Sequence, residues 1–521
     1  MAKAADVIVI GAGHNGLVCG SYLAKSGLDV LVVERSHRIG GACITEELVP
    51  GYQFSTFAYS AHGPAPRICR DLEIPPDAWL IEEVDPGMFT PFPDGDHLFL
   101  WQDVNRTVTA LERLSRRDAQ VYPDYLQYMD KAVQMTKDWY FEPPQNHQAL
   151  YERYRGTEYA DVLEAMLTRS HWDVLGDFFE SEKIKTVLAR ADDVGSPAAV
   201  GSFLAEAVEA ANCASGVEGK SGLPRGGMGV ITAALAEALV RWGGQIQTKT
   251  AVEKILLENG RAVGVQVDSG QVLRADLIVS NADPKRTFLT LLASEDVPGS
   301  FRRQVSNLKT RAGYMKYHAI LSDFPRFSAM PSEHADDPRC AASVRIAPSL
   351  EYFESAWHDA QQGRPSRQPV MSLQLPTAYG SLGCRPGKHI FGAWVRYGPA
   401  RLKSGTWDHI RDQVMQNIVA QIEQYAPGFT DAIEWQRLYT VADVERETGI
   451  TDGSIRHVDM TLDQMLHRRP LPAWSAYKSP IASLWMCGSG THPCGSVTGA
   501  PGHNAAQAIL RAMAAPGVGS L

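Results

Sequence analysis

Three glycines and one acid have the spacing most suggestive of chemistry in this chain. Gly11, Gly13 and Gly16 form a G-x-G-x-x-G triplet directly after the apolar run Val7 to Ile10, and Glu34 follows eighteen residues beyond Gly16. Glycines at this spacing allow a tight turn, a close approach of backbone to a pyrophosphate, and close packing of the next helix on a sheet. An acid at the end of the following strand accepts hydrogen bonds from both hydroxyls of a ribose and disfavours a 2′-phosphate. Three histidines, His62, His457 and His492, stand in distinctive segments, where an imidazole could move a proton near neutral pH.

Those residues need a βαβ unit to hold them. Val7 to Ile10 reads as a strand buried on both faces, and a helix starting near His14 aims its free N–H groups and positive dipole end at the phosphates. Asp29 to Val33 is the second strand. Strand, turn, helix, strand and acid occur in order, so the triplet is read as a dinucleotide-binding unit.

The chain's 521 residues predict two or three domains, and its 44% hydrophobic and 21% charged content is that of a globular protein. A net charge of −9 offers no basic face for nucleic acid. Eight cysteines without a C-x-x-C pair give no redox, disulfide or zinc pattern. No apolar run is long enough for a membrane-spanning helix. The first strand begins close to Met1, so a cytoplasmic location is expected, with peripheral membrane contact left open. Oligomeric state is not fixed by the sequence.

Further along, Gly40-Gly41 offer a second turn before an aromatic segment. Helical periodicity dominates from Ile68 to Ala214, with Trp139-Tyr140-Phe141 as core or as a cavity lining. The stretch from Pro224 gives a helix stopped by Gly243-Gly244, then strands around the Asn259-Gly260 hairpin signal and a buried strand over Asp276 to Ser280. A mixed segment follows, with a strand over His389 to Val395 and a helix carrying Ile410, Val414, Ile418 and Ile422. The end of the chain supplies a short strand at Leu484 to Cys487, a glycine-rich loop and a closing helix from about Gly502.

Four stretches together resemble the phytoene desaturase-like branch of the monoamine oxidase and phytoene desaturase superfamily: GAGHNGLVCGSYLA at Gly11, PRGGMGVITAALAEAL at Pro224, RHVDMTLDQMLHRRPLP at Arg456 and GSGTHPCGSVTGAPGHNAA at Gly488. That branch includes desaturase-type β-carotene ketolases and proteins named for a pyridine nucleotide-disulphide oxidoreductase domain. The resemblance implies a two-dinucleotide-binding-domain flavoprotein of α/β class. Its Rossmann-like FAD domain would comprise residues 1–67, 215–290 and 480–521, and a mixed α+β substrate domain residues 68–214 and 291–479. It implies FAD as cofactor, with Gly11, Gly13, Asn15 and Gly16 at the pyrophosphate and Glu34 and Arg35 at the adenosine. By the same resemblance Gly41 and Ala42 pass near the flavin, Val252 holds the adenine edge, Gly488 meets the pyrophosphate or ribityl chain, and Val497 and Thr498 approach the isoalloxazine. Cys494 departs from the family pattern, standing where relatives often have glycine.

The expected activity is dehydrogenation or oxidation of a hydrophobic, carotenoid- or polyene-like small molecule by hydride transfer to the flavin. Amine oxidation, and a structural FAD in a protein-binding role, are the alternatives. Disulphide reductase chemistry lacks its C-x-x-C, and a single glycine fingerprint leaves no second site for NAD(P)H.

Overall fold

The computed structural model describes residues 3–60, 63–190, 194–214 and 222–515. A five-stranded parallel sheet runs in the order Leu484–Met486, Leu277–Ser280, Val7–Ile10, Val30–Val33, Gln245–Gln247. Its central strand pairs Val7 with both Val30 and Leu277, so segments hundreds of residues apart in sequence are adjacent here.

Alternation along these strands explains their continuous apolar runs. Val7, Val9, Val30, Val32, Leu277 and Val279 point into a core shared with the helices His14–Lys25, Gly229–Arg241 and Ala500–Ala514. Ile8, Ile10, Leu31, Val33 and Ile278 point the other way, against Ile255, Val265 and Val267 of a three-stranded antiparallel sheet. The sheet is buried on both faces, as a parallel sheet must be. Asn259 (φ +51°) and Gly260 (φ +75°) make the predicted tight turn in the antiparallel layer.

A seven-stranded mixed sheet follows the order Ile433–Tyr439, Tyr314–Leu321, His389–Arg396, Val370–Gln374, Ser343–Ile346, Met88–Pro91, His97–Leu100. Met315, Tyr317, Ala319 and Leu321 face a core completed by the helix Trp407–Tyr425 through Ile418, Val419 and Ile422. The alternate residues Tyr314, Lys316 and His318 face the other way, toward Phe57, Tyr59 and Thr56 respectively, and all eight residues of the strand are buried.

Helices dominate residues 104–214, including Arg116–Tyr140 and Ser202–Ala214. The helical reading is corrected over residues 81–100, which hold the strands Ile81–Glu83, Met88–Pro91 and His97–Leu100. Two of these strands join the seven-stranded sheet through the parallel pairing of Val344 with Phe89, a partner remote in sequence and absent from any local periodicity. Trp139 and Tyr140 are core residues, 1% and 2% exposed. No helix among the described residues is long and apolar enough to cross a membrane.

Candidate active site

The glycine turn leaves the first strand as its spacing requires. Gly11 has φ +97°, a conformation with little steric cost only for glycine, and its N–H donates to Val33 O at 2.8 Å. A Cβ on Gly13 would lie 2.8 Å from Asn281 Nδ2, and one on Gly16 only 2.2 Å from Gly11 O. The second glycine turn passes beside the first, where Gly40 N–H donates to Ala12 O at 2.9 Å. Glu34 is buried, and its carboxylate accepts from Ala12 N at 2.9 Å and Ser36 N at 2.8 Å. Two backbone donors thus aim the acid while leaving lone pairs for a ligand.

These elements wall a groove of about 1180 Å³, lined by Gly11, Gly13, Asn15, Glu34, Arg35, Gly41, Ala42 and Val252 among the expected residues. Gly16 is not in the lining and serves the packing of helix on turn. Gly488 sits behind the lining, where a side chain would meet Asn281 O at 2.7 Å and the His457 ring at 3.0 Å. Asn281, Asp283, Arg286 and Thr448 to Ile450 also line the groove, and motif spacing did not pick them out. Asn281 was detectable in principle, because it follows a buried parallel strand at the carboxyl edge where such sheets bind ligands.

At His14, Ala42, Ile455 and Ser489 the groove meets a second chamber of about 830 Å³. One wall is aromatic: Tyr314 stacks on Trp394 at 3.9 Å with 1° between the rings, and Tyr59 lies 5.5 Å from Trp394. Ala58, Ile455 and Val497 add apolar surface, and the chamber also holds an ion pair, Arg456 to Glu209 at 2.7 Å. Behind Glu209 a narrow side cleft is lined by Glu206 and Arg190. Burial, opposed by the Arg190 charge, pushes Glu206 up to about 7.

Lys316 sits behind the aromatic wall. Its ammonium lies 4.4 Å from the Tyr59 ring centre and donates to Gln374 Oε1 at 3.0 Å, and burial pushes it down to about 7.

The histidine expectations change. His457 lines the groove and His492 lies in the core with Nε2 3.2 Å from Trp139 O; burial pushes both down to about 4, so both are neutral at pH 7. His62 lies outside the described residues. His14, passed over in the sequence, is also buried and held near 4, and its Nε2 has no hydrogen-bond partner.

Thr498 is fully buried, with its hydroxyl 2.9 Å from Tyr140 Oη, and is not among the residues lining the chamber, whereas Val497 is. Cys494 takes φ +153°, and its side chain packs in an apolar cluster with Met460 and Met465. Arg35 lines the groove, and its guanidinium donates to Arg446 O and Glu447 O.

The groove fits FAD. Asn15 Oδ1 and His457 Nδ1 are buried at its surface without partners, a helix N-terminus faces it, and the Glu34 carboxylate is held at its edge by two backbone donors with lone pairs to spare. Residues 16–311 match the family described as Flavin containing amine oxidoreductase, and the chain belongs to that family: it is an FAD-dependent oxidoreductase.

Within the family its relatives are specific. It is 32% identical to mouse pyridine nucleotide-disulfide oxidoreductase domain-containing protein 2, over 97% of this chain and 93% of that one. It is 27% identical to a limonene dehydrogenase subunit from Castellaniella defragrans, over 98% and 95% of the two chains. The fold matches cyclohexylamine oxidase of Brevibacterium oxydans with a TM-score of 0.57 at 15% identity, over 98% and 99% of the chains. The two-dinucleotide-domain α/β class and the branch suggested by the four sequence motifs both hold.

Proposed function

We propose that this enzyme dehydrogenates a hydrophobic, terpene- or polyene-like small molecule held in the aromatic chamber. The observation that supports this reading is the chamber wall of Tyr59, Tyr314 and Trp394, which opens off the inner end of the groove. FAD, when bound, supplies a hydride acceptor at N5. In this reading residues 1–67, 215–290 and 480–521 form the FAD domain and the remainder the substrate domain. Glu34 takes the adenosine ribose; Gly11, Gly13 and Asn15 face the pyrophosphate; Gly41, Ala42 and Val497 flank the flavin.

The chain's own part is to orient and dry the substrate. The stacked rings and Ile455 present flat apolar surface and displace water, which favours a near-attack geometry at a C–H bond. Glu209 is the one carboxylate in the described chamber lining, and Arg456 neutralises it, so it is poorly suited to hold a substrate ammonium. This weighs against amine oxidation. Kinship with the limonene dehydrogenase chain supports a hydrocarbon-like substrate.

Anaerobic mixing of the FAD-loaded protein with a panel of terpenes, carotenoids and primary amines tests the reading. Bleaching of the flavin's visible absorption by a hydrocarbon is the expected result. Bleaching by amines alone, with hydrogen peroxide formed on admitting air, overturns it. A bound flavin that neither substrates nor dithionite reduce points instead to a structural cofactor.

A further inference from the structure

The wall of the groove opposite the glycine turn is the end of a helix that belongs to the other half of the molecule. Helix Val441–Thr448 is anchored at its start: Thr440 and Asp443 form a capping box, and Val441 and Val444 are buried. Its far end reaches over the groove, which Thr448, Gly449 and Ile450 line. The chain then turns through Gly449 (φ +77°) and Asp452 (φ +58°).

The fastenings of this far end to the residues beside the parallel sheet are polar. The Arg35 guanidinium donates to Arg446 O and Glu447 O, and Arg286 Nε donates to Gly449 O. These carbonyls end a helix, where a cation is favoured by the dipole. Arg286 also lies 3.7 Å from Glu445, and Lys285 3.1 Å from Asp452. Asp283 Oδ2 accepts from Thr451 N at 3.0 Å and Thr451 Oγ1 at 2.8 Å.

A segment with one end anchored in apolar packing and the other held by polar contacts, among them the buried Asp283 and the partly exposed Arg286 and Glu445, has few buried apolar contacts to break when that far end opens. We propose that residues 445–452 are a strap that closes over bound FAD, and that Arg35, Asp283 and Arg286 are positioning residues which act through it to set how slowly FAD leaves. A ligand enclosed by the closed strap must also stabilise that closure, because it binds the closed state better than the open one. The proposal rests on the groove being the FAD site, and the flavin absorption of the purified chain reports on that separately.

Two measurements test it. In the wild-type protein, amide hydrogen exchange across residues 445–452 should slow at least about tenfold when FAD is bound; equal exchange with and without FAD overturns the strap. Thr451→Val removes one of the two Asp283 contacts at a residue outside the groove lining, and Arg286→Gln removes the cation on the Gly449 carbonyl. Each should raise the FAD dissociation rate about tenfold, read from the fluorescence of released FAD, while Thr451→Ser keeps the wild-type rate. Dissociation rates unchanged in Thr451→Val and Arg286→Gln overturn the assignment. The exchange measurement needs no variant and decides the matter if a substitution prevents folding.

Discussion

Arg469 and Ser489 join two of the sequence motifs through a single buried contact. The Arg469 side chain is fully buried, and its Nε and one terminal nitrogen donate to Ser489 O at 3.2 and 2.8 Å. The same guanidinium donates to Arg456 O at 2.7 Å, Val458 O at 3.2 Å and Gln464 O at 3.2 Å. One side chain thereby fixes the loop carrying His457 and the loop carrying Ser489, both of which line the groove.

Arg469→Met should therefore strip several buried carbonyls of their donor at once. Each costs about 1–3 kcal/mol, so a loss of at least about 3 kcal/mol is expected in chemical denaturation, with weaker FAD binding in whatever fraction folds. Arg469→Lys should recover little, because an ammonium cannot span carbonyls set around a planar fork.

Gly13 and Gly16 separate by what a methyl group would strike. In Gly16→Ala the added carbon meets the Gly11 carbonyl at 2.2 Å, backbone that cannot yield, and FAD binding should be lost. In Gly13→Ala it meets the Asn281 side-chain amide at 2.8 Å, which can rotate, so binding should survive with reduced affinity. Titration of both apoproteins with FAD, alongside thermal melts, distinguishes the two.

Glu34→Gln keeps the shape of the acid and removes its charge. The charge-assisted bonds from Ala12 N, Ser36 N and the ribose hydroxyls should each weaken, raising the FAD dissociation constant about 10- to 100-fold. Flavin visible absorption on titration reads the change directly.

Glu206 predicts a pH dependence of stability. Its ordinary value of 4.5 is raised to about 7 by burial, so between these values the unfolded chain loses its proton first and stability falls as pH rises. The decline should total about 3 kcal/mol and level off above the folded value. Glu206→Gln should abolish it, matching the wild type near about pH 4.5 and exceeding it near about pH 8 in melting temperature.

The glycine turn, its flanking strands and the hairpin were readable because their signals are local. Gly11, Gly13, Gly16 and Glu34 fall within one βαβ unit, and Asn259-Gly260 mark a hairpin by themselves. The chamber was not readable, since Tyr59, Glu209, Tyr314 and Trp394 come from four distant segments and meet only through sheet pairing and helix packing. Strand alternation does place Tyr314 and Lys316 on one face, but nothing local says what that face meets. Arg35 shows the same limit: its position after Glu34 is legible, whereas its partners lie more than 400 residues away. Cys494 stands out in the sequence as an oddity, and only packing against Met460 and Met465 reveals why it is no chamber thiol.

The parallel sheet has an implication for biosynthesis. Its strand at Leu277–Ser280 lies between Val7–Ile10 and Leu484–Met486, so a strand made early on the ribosome waits for one made late before the layer is complete. A nascent chain thus carries bare strand edges while everything between them is translated, the condition under which chains aggregate and chaperones are needed.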